Sequence, residues 1–206
     1  MPRKSILLLI VFSASMACTL CASSYSRQVG REGNWKKSAQ DSPDLEAAHK
    51  LAEAQPQNAV AQNDYGWALR LHGDPAKAEG FVRTAEQLDP TLAYVHSNLS
   101  VIELDLNKPK EALGEGKKAV ELDGNQPIFH VVYGNALIVA GDAKGAIAQY
   151  QAAIQQRADY ENAYYNLGRA FQKDGQKNEA LAALSKALEL DSKDDRVLKL
   201  MDDISK

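Results

Sequence analysis

The sequence predicts an all-α fold, a solenoid of four helix-turn-helix repeats with a capping helix at each end. Three observations lead there. Gly66, Ser100, Gly134 and Gly168 recur every 34 residues, and three further columns keep the same step: Ala78, Ala112, Ala146 and Ala180; Ala85, Ala119, Ala153 and Ala187; Tyr65, Leu99, Tyr133 and Leu167. Turn-forming residues sit near the middle of the period, at Gly73, Gly141 and Gly175. The chain has 206 residues, 45% of them apolar and 25% charged, so it can bury a core yet stay soluble. With 13 Gly, 7 Pro and 2 Cys it is neither collagen-like nor a disulfide scaffold.

The first element, residues 1–22, reads as a leader. Arg3 and Lys4 precede an apolar stretch from Ile6 to Phe12, followed by the small residues Ser13, Ala14, Ser15 and Ala17. Ser15, Met16, Ala17 and Cys18 resemble a bacterial lipobox, which makes Cys18 the candidate lipidation site, although Ser15 stands where Leu, Val or Ile is usual. Two other outcomes stay open: cleavage without lipid after Ala17 or Ala22, and retention of Ser5 to Ala22 as an uncleaved anchor. Every one of these readings exports the repeats to the cell envelope, in the periplasm and free or membrane-tethered, with an outer-membrane lipoprotein as the lipidated case. Cys18 and Cys21 also form a CxxC, but no second Cys or Cys/His pair completes a set of four ligands, so no zinc or redox centre is expected.

Residues 23–43 are polar, with Arg27, Arg31, Lys36 and Lys37 and only Val29 and Trp35 as sizeable aliphatic or indole groups, which predicts a flexible tether. Up to residue 43 six Lys/Arg face two Asp/Glu, leaving 18 against 25 in the remainder. A net acidic body with scattered basic residues is a poor surface for a phosphate backbone, so nucleic acid is excluded as a partner. Residues 44–58 form an N-terminal cap: Leu45 to Ala54 reads as one helix ending before Gln55-Pro56. The segment before it, 25–43, has Arg31-Glu32 where a packing pair would be required.

The units are 59–92, 93–126, 127–160 and 161–194, without insertions. In each, a first helix ends at the midpoint and a second begins. Asp74 and Asp142 are suitable N-caps, and Pro75 and Pro109 suit a first turn, where the missing N–H is not needed. The Gly and Ala columns allow two helices to approach closely, while Tyr65, Leu69, Leu99, Tyr133, Leu137, Leu167 and Phe171 fill the space between them. The second unit departs from the pattern with Glu103 and Gly116 at apolar positions, which predicts the least stable hairpin of the four. Residues 195–206 carry Val197, Leu198, Met201 and Ile204 as an apolar stripe, expected to cover the last unit as a C-terminal capping helix.

The paired positions Tyr65-Gly66, Leu99-Ser100, Tyr133-Gly134 and Leu167-Gly168, the two alanine columns and Asp89-Pro90 closing the first unit resemble the tetratricopeptide repeat over residues 59–194. Gly124, Ala158 and Ser192 replace the family's closing proline in the later units. The resemblance implies a right-handed superhelix whose first helices line a concave groove. It maps that groove to Asp64, Trp67, Arg70, Tyr94, Asn98, Val101, Asn135, Asn162, Asn166 and Arg169, as exposed positions. Asn98 and Asn166 hold the place where some members bond a peptide backbone, while Asp64 and Val132 interrupt that ladder. Amides both donate and accept, as an extended peptide requires, and Trp67, Tyr94 and Arg169 are residue types that anchor interfaces. Asn63, Asp64 and Trp67 do not supply the lysine and asparagine with which part of the family captures a terminal carboxylate.

No phosphate loop, nucleophile elbow or zincin signature occurs, so the chain is expected not to be an enzyme and to hold no cofactor. His96 and His130, 34 residues apart, should lie on adjacent first helices about 8–10 Å from each other, too far to share a metal. They are expected to replace a large packing residue; the sequence gives His49 and His72 no companion Cys or His at ligand spacing, and no metal ligands are assigned. The leader, Cys18 and the short array together resemble the assembly lipoproteins of bacterial pilus and secretion systems, in particular the Tad-type (Flp) pilus. That resemblance implies a scaffold that binds a protein or peptide partner and reaches the membrane through its leader or lipid. Adaptors for cell-wall hydrolases, self-association and, in another class, a metal protein or enzyme remain open.

Overall fold

The computed structural model describes residues 44–206, so the leader, Cys18 and the tether with Trp35 lie outside the described residues. The described chain runs α1 (Leu45–Ala54), α2 (Ala59–Leu71), α3 (Pro75–Leu88), α4 (Ala93–Asp105), α5 (Pro109–Leu122), α6 (Pro127–Ala140), α7 (Ala143–Gln156), α8 (Glu161–Lys173), α9 (Lys177–Leu190) and α10 (Asp195–Ser205), with no strand among the described residues. Helices α2/α3, α4/α5, α6/α7 and α8/α9 pack as hairpins, and each second helix also packs on the first helix of the next unit. First helices touch one another as well, α4 with α2 and α6, and α6 with α8.

All four hairpins turn in the same way. The second residue after the turn donates its N–H back to the carbonyl five residues earlier, as in Asp74 to Leu69 at 3.0 Å, Lys108 to Glu103 at 2.8 Å, Asp142 to Leu137 at 2.9 Å and Gln176 to Phe171 at 2.9 Å. This geometry requires a left-handed residue, supplied by Gly73, Gly141 and Gly175 at φ 87°, 89° and 78°. In the second unit Asn107 takes the role at φ 57°, a residue the sequence reading did not single out. Asparagine tolerates this region better than other residues with a Cβ. Asp74 and Asp142 then cap the second helices, accepting from Lys77 N at 3.1 Å and Gly145 N at 2.8 Å.

The repeat columns are contact points. Ala78, Ala112, Ala146 and Ala180 are fully buried, as are Ala85, Ala119, Ala153 and Ala187. At Gly168 a Cβ would come within 2.6 Å of Leu184 Cγ, so only glycine lets α8 and α9 close. Val82, Leu99 and Ile102 fill the core of the first two units, Tyr150 and Leu167 that of the third and fourth, and Leu184 and Val197 that beneath α10. Of the predicted C-terminal stripe, Val197 and Ile204 are buried and Met201 is half-buried, but Leu198 is 47% exposed. Leu198 therefore lies off the packed face, a correction to the four-residue stripe.

In the second unit both departures from the apolar pattern have structural causes. Gly116 lets α5 meet α6: a Cβ there would lie 3.1 Å from both Tyr133 Cα and Ser100 Oγ. Glu103 is wholly buried, and its Oε1 accepts from Arg83 Nη2 on α3, while Oε2 has no hydrogen-bond partner. Burial pushes this carboxyl up to about 7, against the opposing pull of Arg83.

Candidate partner-binding face

The first helices α2, α4, α6 and α8 carry the ten predicted groove residues. Seven of them, Asp64, Arg70, Tyr94, Val101, Asn135, Asn162 and Arg169, are half-buried. Trp67, Asn98 and Asn166 are only 4%, 2% and 5% exposed, which corrects the expectation of ten exposed positions. The cause is the packing of first helix on first helix, which covers the flanks of each and leaves a narrow strip open.

Across this face the polar groups are tied to one another. Asn98 Nδ2 donates to Asn63 Oδ1 at 2.9 Å, joining α4 to α2 inside the array. Arg70 lies 4.7 Å above the Trp67 ring and donates to Asp105 Oδ2 at 2.7 Å, making a second α2–α4 link. Asn135 Oδ1 accepts from Tyr150 O–H at 2.8 Å, which fixes it against α7. Asn166 donates to the Asn162 carbonyl at 2.8 Å and accepts from Arg169 Nη1 at 3.0 Å. The asparagines thus form separate pairs rather than one ladder, and a bound main chain would have to exchange bonds with them. Tyr94 and Val101 on α4, with Arg169 on α8, offer area and charge without being buried.

Helix α10 closes the last unit with charge as well as apolar contact. Arg196 stacks 4.8 Å from the Tyr165 ring, donates to Asp194 and reaches Glu161 on α8 at 3.5 Å. Burial, then the hydrogen bond with Asp194, pushes the Glu161 carboxyl up to about 7.

His96 and His130 hold separate partners, each using both ring nitrogens. His96 faces Glu115 Oε2 at 2.8 Å and the Pro90 carbonyl at 2.9 Å; His130 faces Gln149 Oε1 at 2.8 Å and the Gly124 carbonyl at 3.0 Å. Burial works to lower the His96 pKa, but the hydrogen bonds to Glu115 and Pro90 leave it raised above the ordinary imidazole value. Glu115, penalised by burial, is nonetheless held below the usual carboxylate range by His96 and Arg83. The sequence reading assigned neither Glu86, Arg83 nor Glu115 to any site. The repeated 19-residue spacing, His96 to Glu115 and His130 to Gln149, was the available signal.

Models described as tetratricopeptide repeat or TPR repeat match residues 45–93, 134–175 and 161–194. No curated protein matches the chain. Among solved structures, the fold is similar to MamA at 23% identity, covering 78% of this chain and 95% of that one with TM-score 0.64. It is similar to YrrB, a TPR protein with an unusual peptide-binding site, at 21% identity, covering 91% and 97% with TM-score 0.64. It is also similar to PilF of Pseudomonas aeruginosa at 23% identity, covering 73% and 69% with TM-score 0.67. Three matching repeat models and a fold of stacked helical hairpins establish that the chain belongs to the tetratricopeptide repeat family.

Proposed function

We propose that the chain is a non-catalytic exported scaffold that binds a partner protein along its first helices and serves assembly of a cell-envelope machine such as a pilus or secretion system. The observation that carries the binding role is the half-buried strip of Tyr94, Val101, Asn135, Asn162 and Arg169, which crosses three consecutive units. Such a strip offers an aromatic anchor, a planar cation and amides at the spacing of stacked helices, the chemistry needed to hold an extended segment or a helix. The peptide-binding site of YrrB, a TPR protein of similar fold, supports a peptide or protein partner for this fold. Export is supported by the basic, apolar and small-residue succession before Cys18, and the same cysteine supports tethering by lipid.

Mass spectrometry of the mature N-terminus, from separated membrane and soluble fractions, tests the envelope part. A diacylated Cys18, or a chain starting after Ala17 or Ala22 outside the cytoplasm, supports export. An unprocessed chain in the cytosol overturns it. For the binding part, Tyr94→Ala with Arg169→Ala is the suitable variant, because both side chains are half-buried; Tyr94 also packs against the core of the first two units, so thermal unfolding is measured beside affinity. Partner affinity should fall at least tenfold while helicity is unchanged, since anchor residues of these types contribute about 2 kcal/mol or more.

A further inference from the structure

At the joint of the first two units, Glu86 of α3, His96 of α4 and Glu115 of α5 each bring one metal-ligating atom within 4.8 Å of the other two. His96 is wholly buried, whereas the Glu86 and Glu115 side chains are 21% and 15% exposed, so the cluster opens to solvent on its carboxylate side. The Pro90 carbonyl only accepts, so His96 Nε2 carries a hydrogen toward it at 2.9 Å. The other nitrogen, Nδ1, faces two carboxylate oxygens, Glu115 Oε2 at 2.8 Å and Glu86 Oε1 at 3.8 Å. A lone pair cannot rest against two anionic oxygens. A cation belongs between them, either a proton on Nδ1 or a metal ion.

The outer atoms of the cluster are arranged as metal ligands are supported. Arg83 Nη1 donates to Glu86 Oε2 at 2.9 Å and to Glu115 Oε1 at 2.7 Å, which leaves the opposite oxygens turned to His96. With Pro90 fixing the imidazole, all three ligands have an oriented outer partner. Bonds of about 2.0–2.2 Å at tetrahedral angles separate ligand atoms by roughly 3.3–3.5 Å. The observed 2.8 and 3.8 Å straddle that separation.

Glu86, Glu103 and Glu115 gather three carboxyl groups about one guanidinium, Arg83. With the buried Glu103 carboxyl held at about 7 and Lys118 at the rim, a proton on His96 balances the group, and a divalent ion binds by displacing that proton and the rim cation. Lys118, 44% exposed with Nζ 3.8 Å from Glu86 Oε1, is the rim cation that a bound ion would return to water.

The next unit supplies a built-in comparison. Thirty-four residues on, Val120, His130 and Gln149 replace Glu86, His96 and Glu115. There the imidazole meets an amide at the same 2.8 Å, and Gln156 Nε2 lies 3.2 Å from its other nitrogen. That site is satisfied by neutral groups and calls for no cation.

We propose that Glu86, His96 and Glu115 bind one divalent first-row transition ion of the Zn2+ type, which clamps the first unit to the second. An imidazole with two carboxylates suits such ions. Because the ligands come from three helices in two units, occupancy sets the joint on which the α2 and α4 part of the binding face depends.

The test is a calorimetric titration of the full-length, chelator-stripped chain with Zn2+ at pH 7, beside Glu115→Gln and Glu86→Val. These variants copy Gln149 and Val120, residues the repeat already accommodates. The wild type should take up one more equivalent than either variant, or bind it on the order of a hundredfold more tightly, since even outer partners of metal ligands contribute 10- to 100-fold. Reading the difference cancels any contribution from Cys18, Cys21 or surface histidines. Equal stoichiometry and affinity in all three would overturn the proposal and leave a proton on His96. X-ray absorption of the chain loaded with one equivalent decides the matter even where a variant fails to fold. With Cys18 and Cys21 changed to Ser, a shell of oxygen and imidazole nitrogen supports the site, and an all-water shell refutes it.

Discussion

Replacing Glu103 with leucine should stabilise the second unit above neutral pH, although it deletes an ion pair. The Glu103 carboxyl sits at about 7 in the fold against 4.5 as its ordinary value, because burial disfavours its charge more than Arg83 favours it. A folded-state pKa that is raised means that the folded chain binds this proton more tightly than the unfolded chain does. Stability is therefore complete below about 4.5, declines as pH rises and levels off above about 7. At about 1.4 kcal/mol per pKa unit, the ionised carboxylate costs about 3 kcal/mol at pH 8. Leucine removes that cost and the unpartnered Oε2, while Arg83 keeps Glu86 and Glu115. In a chain of this size about 3 kcal/mol corresponds to roughly 6–12 °C in melting temperature. The assay is thermal unfolding of wild type and Glu103→Leu at pH 4.5 and pH 8 with chelator present, followed by amide exchange to place the change in α4 and α5. The variant should gain most at pH 8 and little at pH 4.5. An equal or lower melting temperature at pH 8, or a gain independent of pH, would show that ionised Glu103 does not cost the fold stability.

Three further outcomes follow from the packing and the turns. Gly168→Ala should cost about 1–3 kcal/mol, because its Cβ would meet Leu184 Cγ at 2.6 Å and the Ala180 carbonyl at 3.3 Å; urea unfolding measures it, and a neutral result would contradict the close approach. Asn107→Val should destabilise the second hairpin by about 1–2 kcal/mol, since a β-branched residue resists φ 57°, whereas Asn107→Gly should not. The Glu161 carboxyl should titrate near 7 by carbon-detected NMR, with burial and then Asp194 as the cause, and a midpoint below 5 would show that Arg196 dominates instead.

Periodicity made the fold legible. Small residues at Gly66, Gly134 and Gly168 and the buried alanine columns report contacts between helices that any hairpin of this length must make, so the step of 34 carried the architecture. The turn at Asn107 was not legible, because asparagine is common on surfaces and its left-handed backbone follows from closing the hairpin rather than from residue type. The binding face was legible only as a set of positions. Its exposure depends on how closely α2, α4, α6 and α8 approach, and that approach buries Trp67, Asn98 and Asn166 while Tyr94 and Arg169 stay partly open. Glu103 read as a defect. Its link to Arg83, and the meeting of Glu86, His96 and Glu115, join residues from two units and three helices, which spacing within one unit does not reveal. Comparing successive units would have helped, because His130 with Gln149 repeats the arrangement of His96 with Glu115 in neutral form. Faster amide exchange in the second unit than in the others at pH 8 remains the expected consequence of its buried carboxylate.

If partners dock on the first helices, crosslinks form there. A photo-crosslinking amino acid placed singly at Tyr94, Val101 and Arg169, and at the exposed Lys117 of α5 as comparison, reads this in living cells. One shared adduct is expected from the three first-helix positions and none from position 117. An adduct from position 117 with none from positions 94, 101 and 169 would move the binding surface to the second helices.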